Sequence, residues 1–238
     1  MFKSLNFKVI LFGFIFTFFS SFGQSFFLGL FNSSIRDALS ITHGQFGSIY
    51  ASATLLSSFI LVWIGKKIDD FNILKFASYV IALLAISCFL FSKISSVVFL
   101  FLSIFLMRLS GQGLMSHTAT TTISRFFEKT RGRALSITWL GLSLAEFILP
   151  LLIIFLLTFV DWRNIWIVIS IFVIVVLPII TFSLVKNIKL DSRETVSLNE
   201  VKTKEIKQWK RSEVLKDYRF YIICITMLAM PSIATGTF

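Results

Sequence analysis

The sequence predicts an all-α integral membrane protein, and three observations predict it. Of the 238 residues 56% are hydrophobic and only 15% are charged, whereas a soluble domain carries about 25% charged residues; the mean hydropathy is +0.86. The apolar residues gather into runs of the length that crosses a bilayer, about 20 residues each. The lysines and arginines gather in alternate connections between those runs, the charge asymmetry that orients membrane helices.

Six runs qualify as complete spans: residues 9–31, 45–64, 74–92, 97–122, 134–159 and 165–185. The first is too long for a signal-peptide core and lacks a small-residue cleavage site, so it is expected to be retained. Most connections are short, which makes neighbouring helices antiparallel. The long polar stretch 186–218 divides the chain. The expected domains are a six-helix N-terminal transmembrane bundle at 1–185, a cytoplasmic inter-domain loop at 186–218, and a seventh transmembrane helix at 219–238. That seventh run is still apolar at Phe238, so the chain is expected to be a fragment ending within it.

Orientation follows from Lys and Arg. Nineteen lie at the N-terminus, in the second and fourth connections and in the long stretch after the sixth run; only Arg36, Lys93 and Arg163 lie on the other side. The expectation is a multi-pass protein of the cell (inner or plasma) membrane with its N-terminus in the cytoplasm. The net charge of +11 is therefore topological, and no nucleic-acid partner is expected. Cys88 and Cys224 both lie in apolar runs, which argues against a disulfide framework.

The chemistry lies inside the apolar runs. Arg108 follows the stretch VVFLFLSIFLM. A guanidinium cannot be neutralised in a protein, and at the centre of a membrane helix it costs roughly 2.5–3.5 kcal/mol on insertion scales. Glu146 is the other charge-bearing residue deep in the bilayer, and its depth in the fifth run matches that of Arg108 in the fourth. The two are expected to pair or to share a water-filled cavity, with Arg108 attracting an anionic substrate and Glu146 competing for it or carrying a proton. Thr17, Ser20, Ser21 and Gln24 fall on one helical face, as do Arg108, Gln112, Met115 and Ala119; Tyr50, Thr54 and Ser57 or Ser58 form a third polar set. Each set either lines a path or bonds one helix to the next, the common use of small polar residues in membranes. His117 lies nine residues after Arg108, on the opposite face of an unbroken helix, unless Gly111 and Gly113 bend it. It reads as a packed, hydrogen-bonded histidine or a proton relay.

Several short patterns carry a family resemblance. After the second run, Gly65-Lys66-Lys67-Ile68-Asp69-Asp70-Phe71-Asn72 is similar to the G-x-x-x-D-R-x-G signature, matching at Gly65 and Asp69 and departing at Asp70 and Asn72. Arg108-Leu109-Ser110-Gly111-Gln112-Gly113 resembles R-x-x-x-G-x-G, and Arg125-Phe126-Phe127 through Arg131-Gly132-Arg133-Ala134 resembles R-W-F-x-x-x-R-G-x-A. With six helices, a long basic connection and a seventh helix, these patterns resemble the N-terminal half of a major facilitator superfamily transporter. The resemblance is strongest to bacterial members with a Gly-Gln pair in the first helix (Gly23-Gln24) and a Ser-His pair in the fourth (Ser116-His117). The fifth helix departs from the antiporter signature G-x-x-x-G-P, with Glu146 where the proline falls.

The resemblance implies two inverted three-helix repeats, with the first and fourth helices facing a central path. It implies a cytoplasmic gating network at Gly65, Asp69 and Arg131, and a substrate or coupling pathway through Gln24, Tyr50, Arg108, Gln112, His117 and Glu146. The function expected is secondary active transport of a small solute, an organic anion from Arg108, by alternating access driven by an ion gradient. The alternatives are efflux of hydrophobic compounds and a non-transporting membrane sensor on the same fold. The expected partners are the lipid bilayer, a small-molecule substrate and a coupling proton or other ion. There is no phosphate-binding G-x-x-x-x-G-K-[ST] loop, no metal-ligand cluster and no nucleophile–base spacing, so no cofactor and no enzymatic activity are expected.

Overall fold

The computed structural model describes residues 4–186 and 211–236. Among the described residues every regular element is helical. Six helices are long and apolar enough to cross a membrane: Asn6–Gly29, His43–Asp69, Ile73–Ser92, Val97–Phe126, Arg131–Leu157 and Trp162–Val185. They are called the first to sixth spans below. A short helix, Asn32–Leu39, lies between the first two.

Polar residues fix where several spans start, by accepting backbone N–H groups that an α-helix leaves unpaired at its N-terminus. Thr42 and Gln45 form a reciprocal box ahead of the second span: Thr42 Oγ1 accepts from the Gln45 N–H at 3.2 Å, and Gln45 Oε1 accepts from the Thr42 N–H at 2.8 Å. Asn72 caps the third span, Ser96 the fourth and Asp161 the sixth.

The packing repeats itself. The first span packs on the fourth, fifth and sixth; the second packs on the fourth; the third packs on the fourth and sixth. Exchanging each helix with the one three places along maps these principal pairings onto one another, as two inverted three-helix repeats require. The third and sixth spans share the longest seam, filled by Ile81, Leu84, Val173 and Leu177 with a bond from Ser170 Oγ to the Ala85 carbonyl at 2.8 Å. The first and fifth spans come closer still. A Cβ on Gly141 would lie 2.2 Å from the Phe14 carbonyl oxygen, and Thr17 Oγ1 donates to the Thr138 carbonyl at 2.6 Å. The second and fifth spans are the least buried, and Leu55, Phe59 and Phe147 stand exposed on them, which suits surfaces solvated by lipid.

The chain divides into two compact units, Met1–Glu194 and Thr195–Phe238. The second holds the helices Arg211–Val214 and Tyr218–Gly236; in it Tyr221 donates to the Leu215 carbonyl at 2.9 Å, and Asp217 accepts from the Arg219 N–H at 2.9 Å. Most of the inter-domain loop expected at 186–218 lies outside the described residues.

Candidate functional site

The first span is expected to be one unbroken helix, and it is not. It is α-helical to Ser20, passes through a 3-10 turn at Ser21–Gly23, is extended at Gln24 (φ −80°, ψ 155°) and resumes as a short helix at Ser25–Gly29. The fourth span is irregular too. Its middle, Arg108–Met115, is a π-helix, in which each N–H reaches back five residues instead of four. These are corresponding helices of the two repeats, and their irregular segments touch. A Cβ on Gly23 would lie 2.3 Å from the Met107 carbonyl oxygen and 2.5 Å from the Gln112 nitrogen; one on Gly111 would lie 2.6 Å from the Gly23 nitrogen. Only two glycines allow the backbones to meet this closely. The tertiary crossing, absent from any local pattern, overrides the continuous helix that hydropathy predicts.

Arg108 is placed by that crossing. It is 7% exposed. Its Nη1 donates to the Gly23 carbonyl at 3.0 Å and to Ser25 Oγ at 3.3 Å. Interrupting the first helix makes a backbone carbonyl available, and the arginine uses it. The guanidinium carbon lies 5.3 Å from the centroid of the Tyr50 ring, within cation–π range, and the Tyr50 hydroxyl donates to the same Ser25 Oγ at 2.9 Å. Arg108 Nε is buried with no hydrogen-bond partner among the described residues, as is Thr54 Oγ1, one helical turn from Tyr50. Every partner of this buried cation is thus neutral. Buried charges ordinarily find an opposite charge, and the described residues supply none here.

The expected Arg108–Glu146 pair does not form. Glu146 is on an exposed face of the fifth span, between the buried positions Ala145 and Leu149. Eleven residues separate Arg108 from Val97 and Glu146 from Leu157, so both sit about 16 Å from the same end of the bundle. The depth expected from sequence is met, but the rotation of each helix about its axis separates the two side chains. Depth is a one-dimensional property of the chain; facing is set by packing.

Gln24 and Gln112, both half-buried, flank the same crossing. Thr17, Ser20 and Ser21 are wholly buried; Thr17 bonds the Thr138 carbonyl of the fifth span, the helix-joining alternative, while Ser20 bonds the Thr17 carbonyl of its own helix. Met115 and Ala119, expected on the face of Arg108, are also wholly buried in the core. His117 lies away from Arg108. Its Nε2–H donates to the Gly65 carbonyl at 2.9 Å, since a carbonyl can only accept. It thereby ties the fourth span to the last part of the second.

The residues expected to form a gating network lie together with Arg125. Asp69 accepts from Arg125, not from Arg131, whose Nε donates to the Ser124 carbonyl at 3.1 Å. The pair joins the ends of the second and fourth spans at the basic end of the bundle. Ser25 and Arg125 are the site residues that sequence reasoning passed over. Arg125 stood in a quoted motif, and Ser25 carried only the signal of a hydroxyl in an apolar run.

No group of His, Cys, Asp or Glu among the described residues is placed to hold a metal ion. Neither a curated protein nor a solved structure matches the chain. The model of the Major Facilitator Superfamily matches residues 13–238, nearly the whole chain and both irregular helices included. A membrane transporter fold built on six apolar spans, paired as inverted repeats, and this match agree: the chain belongs to the major facilitator superfamily.

Proposed function

We propose that the protein is a secondary active transporter that moves a small organic anion by alternating access, with Arg108 as the anion-attracting group. The observation that carries this reading is a cation 7% exposed, with neutral partners only and Nε unpartnered. An anion entering from the membrane surface supplies the missing charge. Gln24, Tyr50 and Gln112 border the same path, and Glu146, level with Arg108 but facing elsewhere, serves as the coupling-proton carrier. Asp69 with Arg125, Arg131 and the Gly65–His117 bond form the gate at the basic end. The nineteen-to-three distribution of Lys and Arg supports a cytoplasmic basic end in the cell membrane, and the organisation as bundle (1–185), loop (186–218) and seventh span (219–238) belongs to the same reading.

The test is uptake into proteoliposomes holding the purified protein, with labelled organic anions and an imposed proton gradient. Arg108→Gln is expected to lower uptake at least about tenfold, the scale of a lost charged hydrogen bond. Anion flux that survives Arg108→Gln overturns the anion reading and leaves efflux of hydrophobic compounds as the better account. PH-dependent transport that persists in Glu146→Gln removes the proton-carrier role.

A further inference from the structure

The hydroxyl pair beside Arg108 has one hydrogen left over. Ser25 Oγ accepts twice, from Arg108 Nη1 at 3.3 Å and from the Tyr50 hydroxyl at 2.9 Å. An sp³ oxygen has two lone pairs and one hydrogen. Both lone pairs are engaged, and the Ser25 hydrogen donates to no described residue. Ser25 is itself exposed, unlike the buried Ser20 and Ser21 before it. It sits where the first helix restarts after its break, held from two sides by groups of two other spans.

We propose that Ser25 is a second ligand-binding residue and that the site takes a monocarboxylate, one carboxylate oxygen accepting from the Ser25 hydroxyl and the other meeting the Arg108 guanidinium. This rests on the anion reading above and narrows it. Arg108 and Tyr50, donating into the two lone pairs, turn the only remaining valence of Ser25 into a fixed donor. They also polarise it, because hydrogen bonds accepted from a charged group strengthen the next bond in a chain. Tyr50 is therefore a positioning residue, acting on the ligand through Ser25.

The single charge follows from the cations within reach. Of the described lysines and arginines in the six spans, Arg108 alone lies in the interior; the rest are at the ends or in connections. One guanidinium balances one carboxylate. A dicarboxylate or a phosphate dianion would bring a second negative charge with no cation to meet it. A carboxylate also offers two oxygens to two separate donors, which a spherical anion cannot.

The experiment is the melting midpoint of the purified full chain in detergent, at constant ionic strength, with lactate, benzoate, succinate, inorganic phosphate or chloride added. A ligand that binds only the folded state raises the midpoint with concentration, which yields its Kd. At least one of the two monocarboxylates is expected to raise it, while succinate, phosphate and chloride do not. Ser25→Ala is expected to weaken that monocarboxylate roughly tenfold. Ser25→Thr, which keeps the hydroxyl, restores affinity and controls for folding. Tyr50→Phe is expected to weaken it roughly threefold without changing which anions bind.

A wild-type Kd in Ser25→Ala, with binding lost in Arg108→Gln, overturns the role of Ser25 and leaves the anion reading standing. Succinate or phosphate binding as tightly as the monocarboxylates overturns the single-charge rule. No response of the wild type to any of these anions, or one untouched by Arg108→Gln, overturns both.

Discussion

The seam between the third and sixth spans and the crossing of the first and fourth each join equivalent helices of the two repeats, yet they are built from opposite materials. At the seam the third span is regular throughout, the sixth runs helical from Trp162 to Val185, and the filling is Ile, Leu, Val and one serine-to-carbonyl bond. At the crossing both helices depart from α geometry, the contact is glycine on glycine, and a guanidinium lies buried beside it. A membrane offers no hydrophobic gain for bringing two apolar helices together, so association rests on close packing and polar bonds. The seam uses large side chains for packing and gains a scaffold. The crossing uses bare backbone and gains freed carbonyls, unsatisfied donors and the tolerance for irregular structure that a membrane allows only inside protein or beside water. That division assigns rigidity to one pair of spans and chemistry to the other.

The comparison can be broken by mutation, starting at the seam. Leu84 is wholly buried there, and Leu84→Ala is expected to cost about 2–5 kcal/mol of stability while leaving the substrate KM of the folded protein unchanged. Reversible unfolding in mixed micelles, paired with uptake, measures both; a changed KM would mean that the seam is part of the working site. Next comes Gly23→Ala. Its Cβ would lie 2.3 Å from a backbone oxygen, so the spans must separate, at about 1–3 kcal/mol for overpacking. Uptake is expected to be lost even in protein that remains folded by circular dichroism. Wild-type uptake in Gly23→Ala would show that the backbone contact is dispensable. Gly47, where a Cβ meets nothing within 4 Å, is the control, and Gly47→Ala is expected to stay within about 0.5 kcal/mol of wild type.

Smaller effects sharpen the picture at its edges. Thr17→Val removes the bond to the Thr138 carbonyl and is expected to cost about 0.6 kcal/mol, the mean for interhelical hydrogen bonds in membranes. At the basic end, Asp69→Asn and Arg125→Gln are each expected to cost about 0.2–1 kcal/mol for a pair this exposed, with the double variant costing less than the sum of the two. Arg131→Gln, which leaves the Asp69 pair intact, should be additive with Asp69→Asn; coupling between Arg131 and Asp69 in a double-mutant cycle would show that the two act together.

Much of the fold was legible in the sequence because it depends on sums along the chain. The third span was expected at 74–92 and is Ile73–Ser92; the sixth was expected at 165–185 and is Trp162–Val185. Transfer free energy accumulates over a window and tolerates errors at single residues. The site was legible by residue type only. Arg108 stood out because its charge is costly wherever it points, whereas the pairing with Glu146 failed because a matched depth does not fix which way a helix faces. His117 was open between a packed, hydrogen-bonded histidine and a proton relay; the partner that the structure gives it, Gly65, is 52 positions away and beyond any local pattern.

The sequence by itself determined six complete runs long and apolar enough to cross a membrane, which connections are basic, and that one arginine lies where a charge is expensive. These are properties of composition and order, and they survive any rotation of the helices. The tertiary structure decided that the first helix breaks at Ser21–Gly23, that the fourth widens from Arg108 to Met115, and that the arginine meets Gly23, Ser25 and Tyr50 in place of Glu146. Those outcomes depend on contacts between residues more than 50 positions apart. There the close approach of two glycine backbones outweighs the regular helical bonding that each segment would otherwise keep.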